Sequence, residues 1–321
     1  MTAPMSVTLI ITAYNAQDFI MRAVNSALEQ TQPPLEIVVV DDCSTDNTAD
    51  LLRRVARVHD SIRVVSTVAN GGPSVARNTG LAVARGDWVA FLDGDDAFAP
   101  DRLEVLMARA AHDDCDAVAD DLGYYDAMAG QVTGRAMGAG QVPLQPISLH
   151  DYVRHNRSGG GGFDWGLLKP MFRRSFLNAH ALQYDPLVRH GEDFLLVVSF
   201  LLAGGRLCLI DQATYLYTQR QGSVSGRASG MSRTIIAYRD MRDMALALAR
   251  DPRISNDPVL VDLLRQRAEG LQRLDDSHFV STALRAGAVG AIMRRAMDRP
   301  AFLPAMICQV GAAVRRRLCH S

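Results

Sequence analysis

"GGPSVARNTGLAVARGDWVAFLDGDD", residues 71–96, is the stretch on which the fold turns. Pro73 suits the first turn of a helix and Gly86 its C-terminal stop. Trp88–Leu92 then runs unbroken and apolar, as a strand buried on both faces does. Directly after it come Asp93, Asp95 and Asp96. Carboxylates this close repel one another, so they are either left to water or hold a cation between them.

The same alternation extends on both sides of this stretch. VTLII (7–11) is a first buried strand, and Phe19, Ile20, Ala23, Val24, Ala27 and Leu28 follow at helical spacing. Pro33 and Pro34 stop that helix, and LEIVVV (35–40) is a second buried strand ending in Asp41-Asp42. Ser44, Thr45 and Asp46 offer N-caps to a helix reaching about Val58. A short strand (Ile62–Val65), a helix (Pro100–Ala111) and a further strand (Asp116–Ala119) complete a β-α-β series. Such a series predicts an α/β fold with a mostly parallel, Rossmann-like sheet covered on both faces. Ligands then bind beyond the carboxyl ends of the strands. Tyr14-Asn15, Asp41, the Asn70-Gly71-Gly72 loop and Asp93 are therefore expected around one crevice.

Beyond about residue 120 the alternation is lost. Residues 138–146 and 159–162 read as loops, Phe194–Leu202 as a helix opening after Gly191-Glu192-Asp193, and Leu207–Ile210 and Thr214–Tyr217 as short strands. From Met231 the chain reads as a helical C-terminal extension, with breaks at Pro252, Pro258, Pro300 and Pro304.

The 321 residues are 48% hydrophobic and 21% charged, the balance of a globular chain and not of a disordered one. The net charge of −1 hides an asymmetry: residues 231–321 hold 15 Arg against 9 acidic residues, and the remainder is acidic. Arg294, Arg295, Arg299, Arg315, Arg316 and Arg317 bracket the apolar run Phe302–Val314. That order fits an anionic membrane surface, and it lacks the aromatic interleaving of a nucleic-acid site. No stretch reaches the roughly 18 apolar residues of a membrane span. The five cysteines are scattered and without C-x-x-C spacing, which argues against a disulfide framework or a zinc site and for a reducing compartment. MTAPMSVTLIITAYN lacks a basic leader and reads as a first strand instead of a signal peptide.

A nucleotide is the natural guest of such a crevice. Yet TAYNAQ is not the G-x-G-x-x-G turn of a dinucleotide fold, and no G-K-[ST] occurs. A carboxylate-held divalent cation is the remaining way to neutralise a diphosphate, and Asp93-Gly94-Asp95 at a strand end supplies the oxygens. The same residues also describe a solvated acidic turn. Asp42, Ser44 and Asp46 serve equally as helix caps, Asn78 as a backbone partner, and Arg77 as the ion-pair partner of a crevice carboxylate. A carboxylate in a first helical turn, such as Asp193, is ordinary dipole matching.

Four segments decide among these readings together: ITAYN (11–15), VVVDDCSTDNT (38–48), NGGPSVARNTGLAVARGDWVAFLDGDD (70–96) and HGEDFLL (190–196). In order and spacing the chain resembles the inverting family 2 glycosyltransferases of the GT-A fold. The match is strong over residues 5–110 and looser to Ser225, where it resembles transferases of bacterial exopolysaccharide assembly.

The resemblance implies a metal-dependent hexosyltransferase working from a UDP-sugar to a glycan or lipid-linked oligosaccharide acceptor. It implies a cytoplasmic enzyme, peripheral on the inner face of the cell membrane. Residues 1–115 would bind the nucleotide sugar, 116–230 would supply the acceptor side and the base, and 231–321 would form the extension. Ala13, Tyr14 and Asn15 would line the base pocket, and Asp41 would accept from the uracil imide. Arg77 would sit near base or diphosphate, Asp93 at the ribose or the metal, and Asp95 as principal ligand of Mg²⁺ or Mn²⁺. Asp193, with Glu192 beside it, would be the catalytic base. Arg220 would lie in a loop closing over the diphosphate, although Gln219 and Gln221 flank it and the family's histidine is missing. Apart from the resemblance, Trp165 follows the glycine run 159–162 and reads either as a ring that stacks on an acceptor sugar or as an ordinary core aromatic. Two rivals stand beside this reading: a sugar-nucleotide pyrophosphorylase, whose glycine-rich signature is absent, and a non-catalytic nucleotide-sugar-binding scaffold.

Overall fold

The computed structural model describes residues 5–112, 114–138, 145–156, 163–219, 237–303 and 307. The first half follows the alternation read from the sequence. β1 (Val7–Ala13), β2 (Glu36–Asp41), β3 (Ile62–Ser66) and β4 (Trp88–Asp93) alternate with α1 (Ile20–Leu28), α2 (Thr48–Ala56) and α3 (Pro73–Val83). All six residues of β2 are buried, as are the first five of β1 and of β4, so these runs have no polar face to alternate with. β1 pairs in parallel with both β2 and β4, and β2 with β3.

The second half joins the same sheet. β5 (Ala97–Phe98), α4 (Arg102–His112), β6 (Ala117–Asp126), β7 (Gln131–Arg135), α5 (Leu149–His155), β8 (Met171–Arg173), α6 (Arg174–Ala179), α7 (Glu192–Leu202) and β9 (Leu207–Gln219) follow in chain order. Among the described residues the sheet runs β3-β2-β1-β4-β8-β6-β9-β5, with β7 hanging on β6. β8 is antiparallel to both β4 and β6 and splices the two parallel parts together.

Three expectations change here. The two short strands foreseen near residues 207–217 are one strand, β9, because its polar middle stays beside β6 through a register shift. Cys115 and Cys208 form a disulfide with Cα atoms 6.2 Å apart. They lie 93 residues apart in sequence, but Val118 is registered against Cys208 in the parallel β6–β9 pair, which brings the two thiols together. Cys43 is free and exposed. Pro258 opens a helix instead of breaking one, with the Asp257 carboxylate accepting from the Val259 and Leu260 N–H groups.

The chain divides into two compact units, Met1–Tyr152 with Trp165–Ile236 and Val153–Asp164 with Ala237–Ser321. Within the second, α8 (Tyr238–Leu248), α9 (Pro258–Arg285) and α10 (Val289–Asp298) carry the fold. Buried Arg267 on α9 donates to the Asn156 carbonyl, a tie between α9 and the earlier segment. Val280, Ala283, Ile292 and Phe302 form its buried apolar cluster. Arg295 and Arg299 do not face outward as a membrane-binding set would. Arg295 pairs with Asp275 at 2.5 Å and with Asp276 at 2.8 Å, and Arg299 pairs with Asp276. Arg294 is exposed, and Arg315, Arg316 and Arg317 lie outside the described residues. No helix among the described residues is long and apolar enough to cross a membrane.

Candidate functional site

Strand register builds the crevice. Ala13 is aligned with Asp41 and Thr12 with Asp93, so the carboxyl ends of β2, β1 and β4 stand side by side. Tyr14 leaves β1 half exposed, and Asn15 turns the chain with a positive φ of 48°. The Asn15 side chain accepts from Thr45 N–H at 2.8 Å, and its own N–H donates to Ser44 Oγ at 3.0 Å. Asp41 is buried at the end of β2 and accepts from Ser44 N–H at 3.3 Å. Asp42 does not cap a helix. Its carboxylate takes the N–H groups of Gly71 (3.0 Å) and Gly72 (2.7 Å) and the Thr67 hydroxyl (2.9 Å), and so holds the loop that launches α3. Asp46 is a local cap, accepting from Thr48 N–H at 3.0 Å.

The turn after β4 needs its glycine. A Cβ on Gly94 would meet the Thr12 carbonyl oxygen at 2.7 Å. With Gly94 pressed onto the end of β1, Asp93 turns toward α3 and α7. Arg77, buried on α3, donates to Asp93 Oδ1 at 2.7 Å and to Glu192 Oε1 at 2.8 Å, and lies 3.4 Å from Asp193 Oδ1. Lys169, just before β8, reaches Asp193 Oδ2 at 2.5 Å and Asp93 Oδ2 at 3.2 Å. Tyr184 donates to Asp193 Oδ1 at 3.2 Å. Gly191, with φ of 80°, makes the left-handed step that starts α7 at Glu192. Two cations thus face three carboxylates, and the cluster carries one net negative charge.

Burial pushes Asp93 up, but the charges of Lys169 and Arg77 more than reverse this and hold it well below the usual carboxylate range. Burial would lower Lys169, and the charges of Asp193 and Asp93 instead keep it above its ordinary value. Burial, with the Asp193 charge, drives the Tyr184 phenol well up, so it stays a neutral donor.

Asp96 belongs to a different network. Its buried carboxyl accepts from Tyr215 OH and from Thr218 N–H, both at 2.8 Å. Thr218 Oγ and Arg22 both donate to the Asp95 carbonyl, at 2.5 and 2.9 Å. The backbone of the acidic turn is thereby fixed from α1 and β9.

Sequence reading missed Lys169, Tyr184, Tyr215, Thr218 and Arg22. Only Lys169 carried a signal, as the sole lysine in an arginine-rich chain. Asn78 bonds backbone, exchanging both of its amide groups with Tyr184 at 2.7 and 2.9 Å. Trp165 is 3% exposed in a short turn packed against α7, which places its ring among the core aromatics. Arg220 lies outside the described residues.

The model of the glycosyl transferase family 2 matches residues 8–178, more than half of the chain. This chain belongs to glycosyl transferase family 2. The succinoglycan biosynthesis protein ExoO of Rhizobium meliloti is 38% identical over 220 residues, which cover 68% of this chain and 62% of that protein's length. The succinoglycan biosynthesis protein ExoU of the same organism is 34% identical over 308 residues, 95% of this chain and 86% of ExoU. Among solved structures, TarS 1-349 of S. aureus in complex with UDP-GlcNAc aligns with a TM-score of 0.63 at 24% identity, over 82% of this chain and 72% of that one. The fold of this family 2 glycosyltransferase is accordingly the GT-A α/β fold with an added helical part, as the sequence resemblance implied.

Whether a metal suits the site depends on its donors. Among the described residues, no group of three or more His, Cys, Asp or Glu stands in metal-holding geometry. Both Asp93 oxygens already face Arg77 and Lys169. Asp95, on the same turn, is the carboxylate that would serve a Mg²⁺ taking its other oxygens from phosphate and water.

Proposed function

We propose that this glycosyltransferase moves a hexose from a UDP-sugar to a lipid-linked glycan acceptor, with inversion, in bacterial polysaccharide synthesis. One observation carries the reading. The acidic turn after β4 and the Glu192-Asp193 start of α7 are held in one cluster by Arg77 and Lys169, beside the carboxyl ends of β1 and β2. Donor-side and acceptor-side carboxylates are thereby neighbours, as displacement at a single carbon requires. The names of ExoO and ExoU support the polysaccharide assignment, and the UDP-GlcNAc complex of a like fold supports the donor class.

In this reading residues 1–115 hold the nucleotide. Ala13, Tyr14 and Asn15 line the base, and Asp41 accepts from the uracil imide. Asp95 would hold Mg²⁺ or Mn²⁺, which when bound neutralises charge on the departing diphosphate. Residues 116–230 supply the base. The acceptor hydroxyl oxygen attacks the anomeric carbon opposite the leaving group, the bond from that carbon to the diphosphate oxygen breaks, and UDP leaves with the electron pair. The acceptor's proton passes to Asp193. The enzyme works on the cytoplasmic side of the membrane, where its helical extension meets lipid.

The test is UDP release from a panel of UDP-glucose, UDP-galactose and UDP-N-acetylglucosamine, with a lipid-linked acceptor extract, in Mn²⁺ and in chelator. Transfer that needs both metal and acceptor is expected, and D95A should lose the metal-dependent binding of UDP in calorimetry. A scaffold would bind UDP and transfer nothing.

A further inference from the structure

Lys169 is the one lysine of the chain, and its buried ammonium bridges the two halves of the site. We propose that Lys169 is a positioning residue for transfer: it holds the Asp193 carboxylate in the orientation that takes the acceptor's proton, and ties that orientation to Asp93 on the donor side. The proposal rests on Asp193 being the base.

The backbone that carries Lys169 is fixed from below. Arg102 is fully buried and grips equally buried Asp120 through two bonds, at 3.0 and 2.7 Å. The same guanidinium donates to the Lys169 carbonyl at 2.8 Å, and Thr214 Oγ donates to Asp120 at 2.6 Å. Pro170 follows and restricts Lys169 to an extended backbone. A long, flexible side chain is thus launched from a rigid point. It ends in a charge-assisted bond, which is both shorter and stronger than a neutral one. A buried ammonium needs paired charge, and here two carboxylates provide it.

Distances decide which carboxylate depends on it more. Without Lys169, Asp93 keeps its nearer cation, Arg77 Nη2 at 2.7 Å. Among the described residues, Asp193 would lose its 2.5 Å partner on Oδ2 and keep its contacts to Oδ1, Tyr184 at 3.2 Å and Arg77 at 3.4 Å. Its free oxygen could then rotate out of line. The effect should fall on turnover more than on donor binding.

The experiment compares K169M, K169Q, K169R and D193N as full chains. It reads kcat and donor KM for UDP-N-acetylglucosamine, or for whichever UDP-sugar of the panel the natural chain turns over fastest, and UDP affinity by calorimetry. K169M and K169Q should lower kcat on the order of 10²-fold, as misplacing a reacting group by about 1 Å does, with UDP affinity within about threefold. K169R, which can still donate to the carboxylate, should recover at least about tenfold of that loss. Three results overturn the proposal: K169M with kcat within about twofold of the natural chain, a loss carried wholly by UDP affinity, or K169R as slow as K169Q. If K169M does not fold, K169Q carries the test, and failure of both to fold makes Lys169 a folding residue and ends the proposal. An inactive D193N beside a fully active K169M removes the role of Lys169 and leaves the base in place. D193N at the natural rate removes the base itself, and the proposal with it.

Discussion

Asp93 and Asp96 share one turn, yet their surroundings push them in opposite directions. Asp93 has two cations against it and stays charged. Asp96 has none. Burial raises its carboxyl, and the Asp95 and Asp93 charges raise it further, from 3.8 to about 8. The sign for stability follows. A group whose folded-state value lies above its unfolded one contributes stability that is complete at low pH and is lost as pH climbs through the folded value. Between about pH 4 and pH 8 the natural chain should therefore lose stability on this account. D96N keeps a carbonyl for Thr218 N–H and cannot ionise. Melting curves in chelator should show the natural chain falling relative to D96N across that window, and parallel curves would reject the assignment. At Asp193 the question is turnover. D193N should retain UDP affinity and lose roughly 10²–10⁴-fold in kcat, the usual contribution of a base. Glu192, which shares Arg77 with it, is the control: E192Q should cost less, and the reverse order would move the base to Glu192.

At the scale of elements, the site is a consequence of where three parallel strands stop and one turn tightens. Gly94 decides the tightening, since the Cβ of an alanine would press on the backbone oxygen of Thr12 and not on a movable side chain. G94A should destabilise by about 1–3 kcal/mol, the ordinary cost of overpacking. It should also weaken UDP binding, because Asp93 and Asp95 leave their places together. A lowered melting midpoint with unchanged UDP affinity would separate the turn from the site. This half was legible because buried strands and their helices each run long enough to show a pattern. β8 and β5 were not: strands of three and two residues have no period to read. Without β8, nothing in the sequence says that β6 lies next but one to β4, or that Lys169 arrives beside Asp93. Motif spacing brought Asp93, Asp95 and Glu192-Asp193 to one place by family resemblance, while the cations between them come from tertiary structure. The disulfide was hidden for the same reason, since its halves meet only through the β6–β9 register.

For the whole molecule, membrane attachment is the question on which sequence and structure pull apart. The arginine count of the extension suggested a lipid-facing set, but Arg295 and Arg299 are spent on Asp275 and Asp276, and Phe302 is buried. What remains outward is a narrower surface. Val289, Met293 and Met297 recur every fourth residue on α10 and are 56, 53 and 74% exposed, beside exposed Arg294. Such a row, with basic residues near it, suits shallow burial in an anionic headgroup layer, where each Arg contributes about 1 kcal/mol. Deleting residues 294–321 would be a poor test, because the cut removes Arg295 and Arg299 and leaves Asp275 and Asp276 buried or half-buried without them. Two milder changes separate the contributions. M293S/M297S removes apolar contact and leaves every ion pair intact, and removal of 304–321 takes away the three terminal arginines while sparing Phe302. In sedimentation with vesicles containing phosphatidylserine, the natural chain should bind and release as salt rises. M293S/M297S should bind more weakly at every salt concentration, whereas the shortened chain should show a shallower dependence on salt. Equal binding by all three would take the extension out of the attachment.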